Sequence, residues 1–407
     1  MQVKTGMITT SKLKQLLDEQ QIETPIHALV RALGSGGSMS ATALCRATSL
    51  AKSTVSTALS DLKKSGVVVD VVTRERSNGM AGRPAAAVQL NPKAGTCVGI
   101  HLELLGLRIC VADVAHSIID ELIMPLPEDY RPELGLAAAK TGIDKLYVSN
   151  RLPQSHMLGI GISISSPVTP EGIVHKSSIL PAWAGANAKA IFAREFEAPI
   201  FTDNESNCAA VAEMMWGAAV DEKNFVLLKI DLGVGGAVVC DGRVITGAAG
   251  GAGEFGHMSI EQNGKLCRCG NRGCLELSAG LREPVEQMTT LLGRPSSIDE
   301  IIQLAERGDL GAARLINDCG QAAGRGLAAI SSVLNPPLVI VSGRGALAGD
   351  SLLEPLKREF HNCTLIKSND IPVENRTEIK LGKFTHNDSL LGALGLVLRS
   401  MGIATAT

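Results

Sequence analysis

The sequence predicts an α/β protein in two parts, a basic winged helix-turn-helix head and an acidic α/β body. Three observations carry this. Residues 1–94 hold 12 Lys/Arg against 6 Asp/Glu, a charge of +6, while the rest holds 27 against 35, a charge of -8. Helical periodicity in the head gives way to two β-rich runs around a Gly-containing turn. Beyond Thr96, short β-branched runs alternate with helical patterns, the signature of an α/β body. The 407 residues, 45% hydrophobic and 20% charged, suit two or three cores rather than long disorder. The boundary is expected at 94/95, with 1–94 as head, N-terminal extension and linker, and 95–407 as body.

In the head, Thr24-Pro25 reads as a cap followed by proline at the first helical position. Ile26, Leu29, Val30 and Leu33 keep helical spacing, and Gly34 is expected to stop it. A second helix follows Ser40, with Leu44 and Ala47 inward, and a third runs from about Lys52 to Ser65, ended by Gly66. Val55, Leu59 and Leu62 pack inward, leaving Lys52, Ser53, Thr54, Ser56, Thr57, Ser60 and Lys63 as small hydroxyls and cations for phosphates and base edges. Ala51 is a poor cap for that helix. Residues 67–73 and 85–90 read as strands around a wing carrying Arg74, Arg76 and Arg83, with a turn at Ser77-Asn78-Gly79. A plain helical interaction module has the same pattern, and the charge split favours double-stranded DNA. No aromatic residue precedes Tyr130, so the head cannot stack single-stranded bases. Around Leu13, Leu16 and Leu17 there is one amphipathic turn.

No apolar run approaches the ~18 residues of a membrane span. MQVKTGMITTSKLKQLL lacks a signal-peptide core, so the expectation is a cytoplasmic protein without membrane contact. Of ten cysteines, Cys45, Cys97, Cys110, Cys208, Cys240, Cys319 and Cys363 lie among apolar neighbours and read as small core residues. The other three do not scatter.

In the body, strands are expected within 97–114, 157–166, 224–242 and 337–345, and helices at 206–216, 279–292, 297–305, 310–333, 351–360 and 389–401. This is enough chain for two lobes with a cleft between them. GEFGH at 253–257 precedes CRCGNRGC at 267–274. His257, Cys267, Cys269 and Cys274 have the number and type of ligands for a closed tetrahedral zinc, which leaves no open position and points to a structural role. The turn Gly233-Val234-Gly235-Gly236 suits either a phosphate cradle or close packing. Asn204, Glu205, Glu254, His257 and Glu276 are hydroxyl-binding types that together suit a carbohydrate pocket, and singly suit a surface.

These features resemble the ROK family (repressors, open reading frames and sugar kinases). The head, the GMAGRP linker, SNCAAVAE, GAGEFGH and CRCGNRGC-LE match in order over nearly the whole chain. The resemblance implies an actin-like, RNase H-like two-lobed body, with lobes at about 95–205 plus a C-terminal helix at 386–402, and about 206–385. It implies a sugar or sugar-phosphate effector whose contacts fall on Asn204, Glu254, His257 and Glu276, with His257 serving zinc and sugar through opposite ring nitrogens. It also implies a homodimer or homotetramer on operator DNA.

Departures from the kinase pattern argue against phosphoryl transfer. Kinase members place an Asp base where this chain has Glu205, and an added methylene shifts the carboxylate by about 1 Å, a misplacement that costs on the order of 10²-fold in rate. The first phosphate loop, Asp-x-Gly-Gly-Thr in kinases, is His101-Leu102-Glu103-Leu104-Leu105; the second, Gly-Thr-Gly, is Asp231-Leu232-Gly233. Glu103 and Asp231 put carboxylates where ATP phosphates would lie. Ile179 replaces a family Asn in the sugar segment. The expectation is a sugar-responsive DNA-binding repressor of carbohydrate genes that is not an enzyme; the alternative is a sugar kinase carrying a DNA-binding head.

Overall fold

Thr24 starts the first long helix of the head by reciprocal capping: its Oγ1 accepts the His27 N–H at 3.4 Å, and its own N–H donates to His27 Nδ1 at 3.3 Å. The computed structural model describes residues 11–18, 24–72, 86–176, 179–366, 370 and 372–403. The chain divides into two units, Met1–Ser163 with Ala186–Thr202 and Ala393–Thr407, and Ile164–Gly185 with Asp203–Gly392.

In the first unit, the capped helix Pro25–Gly36 buries Leu29, Val30 and Leu33. Gly34 does not end it. The helix continues to Gly36, and Gly34 is buried where a Cβ would collide with the backbone of Ile403, so its smallness serves packing rather than termination. Ser40 caps Ala41–Thr48, accepting from Ala43 N–H at 3.2 Å. Leu44 points into the core, whereas Ala47 is exposed: it lies at the end of a short helix, where the chain already turns away through left-handed Ser49. Lys52–Lys64 starts at Ala51 with no side-chain cap and buries Val55, Ala58, Leu59 and Leu62. Leu13 and Leu17 of Lys12–Asp18 are buried, with Leu16 half-buried.

The strands Val68–Val72 and Ala86–Leu90 pair antiparallel, Val68 opposite Leu90, and Met39–Ser40 adds to the other side of Ala86–Leu90. These helices and this small sheet fit a DNA-binding head. The expected wing residues Arg74, Arg76 and Arg83, and the Ser77-Asn78-Gly79 turn, lie outside the described residues. A five-stranded sheet follows in the same unit, in the order Ile118–Pro125, Gly106–Asp113, Thr96–Glu103, Met157–Ile164, Ile200–Asn204. Thr96–Glu103 and Met157–Ile164 are its apolar centre. Ile118–Pro125 alternates outward-facing and half-buried residues at an edge, so it lacks the apolar run that reveals the two central strands.

The second unit has its own five-stranded sheet, ordered Arg243–Val244, Val234–Cys240, Phe225–Ile230, Leu338–Ser342, Glu378–Leu381. Phe225–Ile230 and Val234–Cys240 form an antiparallel hairpin, while Leu338–Ser342 runs parallel to both of its neighbours. Ile316, Ala323 and Leu327 of the Leu310–Leu334 helix join Leu352, Leu356 and the sheet residues Val226, Leu228 and Val339 in one core. The helix expected at 279–292 is two, Leu275–Ala279 and Arg282–Leu292. The break lets Leu281 N–H reach Asp231 O at 2.8 Å and Arg282 N–H reach Leu232 O at 3.1 Å, bonds a continuous helix would forgo.

Not all seven dispersed cysteines are core residues. Cys97, Cys110, Cys208 and Cys319 are buried, but Cys240 and Cys363 are exposed and Cys45 is half-buried, because their elements present those positions at a surface or turn. No described helix is long and apolar enough to cross a membrane.

Candidate functional site

The five residues expected to hold a sugar all lie in the second unit. Asn204 ends a strand and caps Glu205–Trp216, accepting from Ser206 N–H at 2.7 Å and donating to Ser166 O at 3.0 Å. Glu205 opens that helix and accepts from Ser165 Oγ at 3.0 Å. Glu254 precedes a short 3-10 turn, Phe255–His257, that His257 ends, and Glu276 sits in the first turn of Leu275–Ala279. Burial pushes the Glu254 carboxyl up to about 7, helped by the like charges of Glu205 and Glu276 and opposed by Arg268 and His175. Glu205, Glu254 and Glu276 are therefore electrostatic neighbours.

The ligand atoms of His257, Cys267, Cys269 and Cys274 lie within 4.8 Å of one another. Cys269 Sγ is 3.6 Å from Cys274 Sγ, and Cys267 Sγ is 3.7 Å from His257 Nδ1. A tetrahedral zinc with ~2.3 Å bonds to sulfur sets its sulfurs about 3.8 Å apart, so the donor set could hold one. The loop is shaped for it: Cys267 N–H bonds Asn271 O at 2.7 Å and Gly270 N–H bonds Cys267 O at 2.9 Å. Nδ1 is the His257 nitrogen on the cysteine side.

The glycine turn is filled by side chains. A Cβ on Gly233 would lie 2.5 Å from Glu276 Oε2, and one on Gly235 or Gly236 would overlap Ser206 or Phe255. Of the two expectations for this turn, close packing accounts for the glycines.

Both carboxylates expected to repel ATP have partners. Arg344 forks onto Asp231, with Nη2 at 2.6 Å from Oδ1 and Nε at 3.1 Å from both oxygens. Burial pushes the Asp231 carboxyl up, but Arg344 and Lys229 hold it below the usual range. Glu103 Oε1 lies 3.2 Å from His101 Nδ1. The picture of bare negative charge is thus corrected for Asp231: its charge is matched by a guanidinium.

Sequence reasoning missed three cations. Lys229 is buried, with Nζ at 2.9 Å from Asp388 Oδ1, 2.5 Å from Ser389 Oγ and 3.9 Å from Glu205 Oε2. Burial disfavours its charge, yet Asp388, Glu205 and Asp231 hold its pKa above the ordinary lysine value. The signal was a lone lysine inside the apolar strand FVLLKI. Arg268, within the cysteine loop, pairs with Glu276, and Arg344 follows the last residues of a strand.

On the head, Lys52, Ser53, Ser56, Thr57, Ser60 and Lys63 are exposed and Thr54 is half-buried. Carboxylates lie beside these side chains: Asp61 is exposed on the same helix, and Lys63 Nζ donates to Asp70 Oδ1 at 2.6 Å. The neighbouring strand supplies that acid, which helix periodicity alone does not reveal.

Residues 106–400 match the ROK family. The xylose repressor of Bacillus spizizenii (strain ATCC 23059 / NRRL B-14472 / W23) is 31% identical over 77% of this chain and 80% of that protein. A solved ROK family transcriptional regulator, a homologue of the E. coli MLC protein, superposes with a TM-score of 0.73 at 23% identity, over 93% of this chain and 96% of that one. A ROK family glucokinase from Streptomyces griseus, solved with glucose and AMPPNP, gives 0.65 at 22% identity, over 74% of this chain and 98% of that one. The chain belongs to the ROK family, with a sugar-kinase-like α/β body behind its N-terminal head.

Proposed function

We propose that this protein is a sugar-responsive, DNA-binding transcriptional repressor of carbohydrate uptake or catabolism genes, and that it transfers no phosphate. The observation that carries the reading is one chain joining a basic helical head to a ROK body in which Arg344 binds Asp231 at the start of the second phosphate loop. The likeness to a xylose repressor over most of both chains supports it.

The head acts as a winged helix-turn-helix. Lys52, Ser53, Thr54, Ser56, Thr57, Ser60 and Lys63 face the major groove, and Arg74, Arg76 and Arg83 supply further cations for the DNA. A homodimer or homotetramer presents paired heads to a pseudo-palindromic operator. Asn204, Glu205, Glu254, His257 and Glu276 hold the effector sugar. His257, Cys267, Cys269 and Cys274 would hold a structural zinc, which would fix the His257 ring and leave its second nitrogen for a sugar hydroxyl.

The test is fluorescence anisotropy on the protein's own promoter DNA and on scrambled DNA, with and without a panel of sugars. The expected result is a preference for the promoter that weakens with salt and changes with one sugar. Equal affinity for both DNAs at moderate salt sinks the repressor reading. Sugar-dependent ATP turnover in a coupled assay, abolished by Glu205→Ala, replaces it with the kinase.

A further inference from the structure

Arg268 lies between Cys267 and Cys269 in the cysteine loop, yet its side chain reaches back to Glu276. Nε is 3.0 Å from Oε1 and Nη2 is 3.0 Å from Oε2, a fork that fixes the plane of the carboxylate as well as its place. The Arg268 side chain is 27% exposed and that of Glu276 only 10%. Glu276 Oε2 also meets Val234 N–H at 3.4 Å, against the bare Cα of Gly233. The carboxylate is thus held by the cysteine loop on one side and by the glycine turn on the other.

We propose that Arg268 is a positioning residue for the effector site, holding Glu276 in the orientation in which it accepts sugar hydroxyls. The inference rests on the reading of Glu276 as a sugar contact and adds a residue to it. A carboxylate on a free two-carbon stem loses rotamer entropy when it binds a hydroxyl, and one already clamped does not. Because Arg268 rides on the loop that carries Cys267 and Cys269, order in that loop passes directly to Glu276. The sugar itself has no need to touch Arg268.

The experiment is isothermal titration of the full-length protein with the sugar that gives the largest thermal shift in a panel of pentoses, hexoses and amino sugars. It is run on the wild type, Arg268→Ala, Arg268→Lys, Glu276→Gln and the double variant Arg268→Ala/Glu276→Gln, with zinc per chain measured in each. Loss of a supporting partner of this kind costs on the order of tenfold or more in affinity. Arg268→Ala is expected to weaken the sugar by about that factor with zinc retained. Arg268→Lys, which keeps the charge without the fork, should recover part of the loss. In the Glu276→Gln background Arg268→Ala should cost less than about twofold more, because the two residues act as one. A purely structural role predicts neither the rescue nor the non-additivity. An affinity for Arg268→Ala within about twofold of wild type overturns the inference and leaves the sugar site standing. Should that variant lose zinc, Arg268→Gln carries the same criterion. If no sugar in the panel shifts the wild type, the effector reading falls and the inference falls with it.

Discussion

Arg344 grips Asp231 across 113 residues of sequence, through Nη2 at 2.6 Å from Oδ1 and Nε at 3.1 Å from both carboxylate oxygens. Asp231 stands at the start of the second phosphate loop by resemblance to the kinases, so this pair does more than place a negative charge there. The Arg344 guanidinium is committed to a carboxylate of the chain itself, and a nucleotide phosphate would compete with Asp231 for it.

That pair yields a first prediction. Arg344→Ala should lower stability by about 1.5–3 kcal/mol in urea unfolding, the usual range for hydrogen bonds to a charged group. It should not create ATP binding, since the unpaired Asp231 carboxylate then repels phosphate. Detectable ATP affinity in this variant by titration calorimetry would show the pair to be the sole barrier to nucleotide.

Lys229 supports a second prediction. Its side chain is 8% exposed and that of Asp388 is 3%, and the ammonium also contacts Ser389 and lies near Glu205. Removing one member of a buried pair strands the other, at a cost of about 3–5 kcal/mol. Asp388→Ala should destabilise the protein by that amount in equilibrium denaturation. Lys229→Met together with Asp388→Leu should cost much less, because neither charge is left without a partner. Equal losses in the two cases would mean packing, rather than charge, dominates here.

These two pairs also mark how far the sequence could be read. The strands at 96–103 and 225–240, the long helix at 310–334 and the cysteine cluster were legible because apolar runs, helical periods and ligand spacing are local. Ile118–Pro125 and Glu378–Leu381 were not, since edge strands carry mixed polarity. Gly34 looked like a stop because its true partner, Ile403, is hundreds of residues away. Arg344–Asp231, Lys229–Asp388 and Lys63–Asp70 are pairings between separate elements, and no periodicity announces them.

The head gives a third prediction. Lys52 is exposed in the first turn of its helix, whereas Lys63 is already bonded to Asp70 at 2.6 Å. Lys52→Ala should weaken promoter binding and reduce the magnitude of the log–log salt slope by about 1, as for loss of one phosphate contact. Lys63→Ala should change the slope less, because DNA competes with Asp70 for that ammonium. Anisotropy titrations at several salt concentrations measure both slopes. A larger change for Lys63 would mean that its pair with Asp70 opens on DNA.

Metal removal provides a fourth. If zinc orders the loop bearing Cys267, Arg268 and Cys269, a strong chelator should lower both the melting temperature and the affinity for the effector sugar. Restoring zinc should recover both. A chelated protein with unchanged melting and sugar affinity would leave the four ligands without a structural role.

The phosphorylation state of the effector follows from how the charges are committed. Glu205, Glu254 and Glu276 are close enough that burial and mutual repulsion push Glu254 up to about 7. Among the described residues, three cations of this region are already engaged: Arg268 by Glu276, Lys229 by Asp388 and Ser389, and Arg344 by Asp231. In the proposed effector site, a neutral sugar would meet this arrangement as a set of hydroxyl acceptors. A sugar phosphate adds about 1.5–2 negative charges beside carboxylates and must take a cation from an existing pair, losing the bonds that pair made. Free sugars should therefore bind at least about tenfold more tightly than their 6-phosphates, a gap of about 1.4 kcal/mol. The comparison is made by thermal shift and calorimetry at one ionic strength, so that screening does not obscure it. Tighter binding of the phosphate ester would mean that one of the three cations leaves its carboxylate to receive the ligand, and charge-neutralising substitutions at Arg268, Lys229 and Arg344 would identify which.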